Sequence, residues 1–131
     1  MAVSRKVKGF EDLEVWRAAD RLAHGVFRLA RSFPRVYSHD LTTQLRRASL
    51  SIPSNIAEGS ASLHSKELIQ SLNVARRSLA ETRCLLLFAR DEGLIPAGNY
   101  EKLADACLSV GRMLTSLIRS ISSRRNAKDH G

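Results

Sequence analysis

Apolar residues recur along the chain at spacings of three and four, in four stretches separated by Pro34, by Gly59 to His64 and by Gly93 to Pro96. That period belongs to helices with one buried face, not to half-buried strands. The first stretch, from about Asp12 to Ser32, carries Leu13, Trp16, Ala19, Ala23, Val26, Phe27, Ala30 and Phe33 on one stripe, with Asp12 placed as an N-cap. Phe33-Pro34 ends it, because a residue before proline is pushed out of the helical region. The second runs from Ser38 or Asp40 to about Glu58, with Leu41, Leu45, Ala48, Ile52 and Ile56 inward and Gly59 as its stop. Pro53 lies inside it, and since the stripe stays in phase across the proline, the sequence predicts a kinked helix rather than a broken one.

The third stretch, about Ser65 to Glu92, turns Leu68, Leu72, Ala75, Leu79, Leu86 and Ala89 inward. Near its end the run from Cys84 to Ala89 is apolar on every side. A helix flanking one core needs only one apolar face, so this run implies burial on a second side, either between subunits or deeper within the monomer. The fourth, from Pro96 or Asn99 to Ser122, repeats Tyr100, Leu103, Cys107, Val110, Leu114, Leu117 and Ile121, the seam of helices packed at about +20°. Four such helices joined by short connectors predict an all-α, antiparallel up-down-up-down four-helix bundle over residues 10–122. Basic tails at 1–9 and 123–131 flank it.

A chain of 131 residues holds one core and little else. No stretch reaches the ~18 apolar residues of a membrane span, and the basic N-terminus lacks the apolar core of a secretion signal, so a cytoplasmic protein without membrane contact is expected. Cys84 and Cys107, with no CxxC and no nearby histidine, read as small core hydrophobes. Catalytic and metal-binding patterns are absent. His24, His39, His64 and His130 show no HxxxH or HExxH spacing, no phosphate-binding or nucleophile-elbow glycine motif occurs, and the acidic pairs fall at helix ends. The sequence therefore predicts no enzyme, no cofactor and no metal.

Residues 44–59 are unusual for a plain bundle. A polar stripe of Arg47, Ser51, Ser54, Asn55 and Glu58 occupies one face of a helix that would ordinarily use Lys, Glu and Ala there. Two readings stay open: a hydrogen-bond network that serves the backbone freed by Pro53 and fixes helix register, or a site for a ligand or nucleic acid.

The same stretch carries a resemblance. Ser51-Ile52-Pro53-Ser54-Asn55-Ile56-Ala57-Glu58-Gly59, with Phe10-Glu11-Asp12-Leu13-Glu14-Val15-Trp16, Phe33-Pro34, Gln44-Leu45-Arg46-Arg47-Ala48 and Ser78-Leu79-Ala80-Glu81-Thr82, resembles the small four-helix bundle proteins first noticed as open reading frames in intervening sequences of bacterial 23S ribosomal RNA genes. It covers about residues 10–121. The resemblance implies a bundle that assembles as a ring-like homopentamer. It also implies kinship with a basic pentameric accessory protein of diversity-generating retroelements, which works with a reverse transcriptase and RNA. It supplies no catalytic residues, and most of the family has no established biochemical role.

Charge adds a partner class. The chain carries 21 Lys+Arg against 13 Asp+Glu, net +8, and 16 of the cations are arginine. The surplus lies in the first and last quarters: residues 1–35 carry +4 and 96–131 carry +3. An even number of antiparallel helices brings Arg5, Lys6 and Lys8 to the same end as Arg124, Arg125 and Lys128, with Arg119 nearby. Five copies would total about +40, enough to attract a polyanion in a salt-dependent way. Exposed aromatics for base stacking are not expected, so backbone-directed binding of RNA or DNA is the physical version. Solvated tails and a GC-rich genome that favours arginine explain the same charge, and an adaptor that docks a polymerase-type protein without touching nucleic acid is the alternative.

Overall fold

The computed structural model describes residues 9–130, a bundle of four helices. A 3₁₀ turn at Phe10–Asp12 leads into α1 (Glu14–Ala30), and a second at Arg35–Tyr37 precedes α2 (Leu41–Ser60). α3 (Ser65–Asp91) and α4 (Ala97–His130) complete the chain, with no strand among the described residues. Each helix packs on its neighbour in sequence and α4 returns to α1, so the four form a square array. Its centre is closed by Ala19, Val26, Leu45, Ile52, Ile56, Leu72, Ala75, Cys107 and Leu114.

Local chemistry sets the helix ends. The cap of α1 is Leu13, in extended conformation, and not Asp12, because the 3₁₀ turn closes first with Leu13 N–H donating to Phe10 O at 2.9 Å. Asp12 instead faces Arg17 at 3.5 Å. Asp40 caps α2, its carboxylate accepting from Leu41 N–H. At the end of α3, Gly93 takes φ +76°, its N–H donates to Arg90 O and Leu94 N–H donates to Ala89 O, the paired bonds of a Schellman cap.

Two expectations about α2 and α4 change. α2 passes through buried Pro53 unbroken, and it also continues through Gly59, which is buried at a helix crossing and is no stop. A Cβ there would stand 2.7 Å from Ser71 Cβ, so the glycine lets α2 and α3 touch. α4 has 34 residues, about 51 Å at 1.5 Å per residue, against 27 for α3, about 40 Å. Its last buried side chain is Ile121 and residues 123–128 are exposed, so the basic segment read as a tail is helical to His130 and projects past the core.

Candidate nucleic-acid interface

A surface groove follows from the α3–α4 register. Leu79 on α3 lies against Gly111 on α4, where a Cβ would meet Leu79 Cδ2 at 3.4 Å. Arginines spaced by seven on each helix therefore line the same cleft: Arg76 and Arg83 on one wall, Arg112 and Arg119 on the other. Because the helices run antiparallel, the order along the groove is Arg83, Arg112, Arg76, Arg119, alternating between walls over about 18 Å. The groove holds about 610 Å³ between side chains that include Ala80, Gly111, Thr115 and Ser116, and no carboxylate lines it. None of the four arginines forms an ion pair among the described residues. Unneutralised guanidiniums over a small-residue floor suit phosphate oxygens, which a planar fork grips with two parallel bonds.

Beneath the groove sits Cys107, fully buried. Burial raises its thiol from the ordinary 9.0 to about 11, against the attraction of the Arg83 charge, which lowers it. The thiol is therefore neutral and inert, which matches the core role read from the sequence. Cys84 differs: it is exposed. Phe88, half-exposed beside it, departs from the expectation of buried aromatics. Beyond Arg83 the cleft turns apolar, between Leu87 and Leu108, and the Arg90 guanidinium lies 4.7 Å from the centre of the Tyr100 ring.

The predicted residues separate into four groups. Arg119 enters the groove. Arg124, Arg125 and Lys128 are exposed on the projecting end of α4, with Arg124 Nε donating back to Ser120 O at 3.4 Å. Arg5, Lys6 and Lys8 lie outside the described residues. In the polar stripe of α2, Arg47, Ser54 and Glu58 are exposed, while Ser51 and Asn55 are half-buried and bonded. Asn55 Nδ2 donates to Ser51 O and Oγ at 2.8 and 2.9 Å, and Ser51 Oγ meets Ser78 Oγ of α3 at 2.8 Å. This network ties α2 to α3. Arg76, Arg83 and Arg112 escaped the sequence reading; the spacing by seven was visible, but only the register makes it a groove.

No group of three His, Cys, Asp or Glu among the described residues could hold a metal ion. No helix among them is long and apolar enough to cross a membrane.

Comparison with known proteins agrees with this architecture. A family model described as 23S rRNA-intervening sequence protein matches residues 11–116. A crystal structure from Bacteroides thetaiotaomicron, of a protein with unknown function from the S23 ribosomal protein family, superposes with a TM-score of 0.73 at 21 % identity. The match covers 79 % of this chain and 97 % of that one, and shows the shared fold. No curated protein matches the chain.

Proposed function

Because the chain belongs to the 23S rRNA-intervening sequence protein family, whose members carry no assigned chemistry to build on, we propose that it is a non-enzymatic, self-assembling scaffold that binds RNA or DNA through its arginine faces. The observation that carries this reading is the line of Arg83, Arg112, Arg76 and Arg119 in a groove without carboxylates. The projecting basic end of α4 supports it, since Arg124, Arg125 and Lys128 are exposed and extend the cationic surface past the core. The ring-like homopentamer implied by the resemblance would multiply these weak local attractions, each subunit adding its own counterion release.

Binding of this kind is directed at the backbone. The groove offers guanidiniums but no aromatic platform, so affinity should depend strongly on salt and little on base sequence. Fluorescence anisotropy with labelled RNA and DNA oligonucleotides at rising salt tests it. Affinity that falls steeply with salt supports the reading. Affinity that ignores salt, or no binding at low salt, overturns it and favours the alternative adaptor for a polymerase-type protein, which a nuclease-resistant pull-down would then show.

A further inference from the structure

The arginine groove between α3 and α4 is narrow for its length. With Leu79 level with Gly111, the 1.5 Å rise puts Arg83, Arg112, Arg76 and Arg119 at successive axial steps of about 7.5, 3 and 7.5 Å, each on the wall opposite the last. A volume of about 610 Å³ over that length of about 18 Å gives a channel about 6 Å across. Its walls are two packed helices, whose axes in such pairs stand about 8–10 Å apart. A slot of this width admits one sugar–phosphate chain, gripped from both sides in turn. Thr115 and Ser116 add hydroxyl groups that can donate to phosphate oxygens.

A duplex does not fit the same slot. Its major groove alone is about 12 Å wide, so the whole cylinder would rest on the rims of both walls. Each strand of a duplex also winds. At about 3.4 Å per phosphate and about 10 base pairs per turn, 18 Å of axis carries a strand through roughly half a turn, out of any line of four cations. An unpaired strand is free to extend, and the groove then spans about four nucleotides, the lower end of single-strand site sizes. No aromatic side chain lines the four-arginine stretch, so nothing in it stacks a base. Beyond Arg83 the cleft shrinks to about 50 Å³ between Leu87, Leu108 and Tyr100, with Arg90 engaged on the Tyr100 ring at 4.7 Å. A strand therefore continues past Arg119, toward the exposed basic end of α4.

We infer that this groove holds one unpaired strand, phosphates inward and bases toward solvent, and so selects single-stranded nucleic acid over duplex. The inference rests on the nucleic-acid binding proposed above and names the form of the polymer. What the groove recognises is the phosphodiester chain, which RNA and DNA share. Counterion release alone works the other way. A duplex carries one charge per about 1.7 Å of axis and is the denser polyanion, so scattered surface cations favour it over a single strand. A preference for the single strand therefore reports the slot and not the net charge of +8.

Fluorescence anisotropy at one fixed low salt concentration tests this with four probes: unstructured DNA and RNA strands, the matching DNA duplex, and an abasic DNA strand with the same number of phosphates. The intact single strands should bind at least about tenfold more tightly than the duplex, and the RNA and abasic strands within about threefold of the DNA strand. R76A/R112A/R119A, with circular dichroism to confirm folding, should lose the preference and keep the residual binding of the α4 end. Binding of none of the probes overturns the nucleic-acid reading and this inference with it. A duplex bound as tightly as the single strands overturns only the single-strand assignment. An abasic or RNA strand that departs from the DNA strand by more than about threefold overturns the phosphates-inward arrangement, since bases or sugars would then be read. A preference that survives in R76A/R112A/R119A overturns the assignment to this groove.

Discussion

Ser51 Oγ on α2 stands 2.8 Å from Ser78 Oγ on α3, a hydrogen bond in which either hydroxyl can donate. Asn55 Nδ2 gives its hydrogens to the Ser51 carbonyl and hydroxyl oxygens. Ser51 keeps its own proton and a second lone pair for Ser78, whose carbonyl accepts from Thr82 Oγ1 at 2.8 Å. Three polar side chains thus fix the sliding register of α2 on α3 at the helix that contains Pro53.

Removing one end of that bridge leaves the other unpaired. S51A or S78A alone should lower unfolding free energy by about 1 kcal/mol, and the double variant should lose less than the sum, because no orphaned hydroxyl remains. Urea denaturation of the cycle reads this directly. Strictly additive losses would mean that the hydroxyls act independently.

Gly59 makes a second, steric prediction. With a Cβ 2.7 Å from Ser71 Cβ and 3.1 Å from Leu68 Cδ1, G59A forces α2 and α3 apart. A loss of about 1–3 kcal/mol is expected, the range for overpacking in a close-packed interior. S71G in the same chain should recover part of it in thermal unfolding. Unchanged stability of G59A would show that the crossing has slack.

The sequence reading of Gly59 as a stop fails for an instructive reason. Glycine serves both helix ends and close crossings, and periodicity cannot separate the two when the helix continues by only one residue, to Ser60. The seam of α4 was legible: Cys107, Val110, Leu114 and Ile121 are buried as their spacing requires, and Tyr100, Leu103 and Leu117 pack partly buried against the core. Its end was not, because a solvated helical extension has no apolar stripe to announce it. Leu13 displaced Asp12 as the cap of α1 through a 3₁₀ turn, a local bond that hydrophobic patterning does not encode. Charge located the cations by segment; the groove needed Leu79 opposite Gly111, a contact between helices some thirty residues apart.

Burial of Cys107 couples stability to alkaline pH. Its thiol is raised to about 11 from 9.0, so above pH 9 the unfolded chain loses its proton while the folded chain keeps it. The folded state then binds more protons, and stability falls as pH rises from 9 until both states are ionised beyond 11. C107A should flatten this slope in urea titrations at successive pH values. In the native protein at pH 8, iodoacetamide should label exposed Cys84 and spare Cys107. An unchanged slope in C107A would assign the alkaline loss to other groups.

The arginine groove and the α4 extension separate as binding elements by their salt response. Each arginine that meets a phosphate contributes about 0.7–0.9 to the slope of log affinity against log salt. R76A/R83A/R112A/R119A should therefore flatten the slope by about 3 units if all four engage, whereas R124A/R125A/K128A should flatten it by fewer, because those three are spread around a projecting helix. Arg83 needs separate treatment, since its charge lowers the Cys107 thiol; R83A alone should push that thiol higher without exposing it. R76A/R112A/R119A avoids this coupling and should retain wild-type melting. A triple variant that binds RNA and DNA as tightly as the wild type, with the same salt slope, would remove the groove from the interface and leave the extension of α4 as the surface to test.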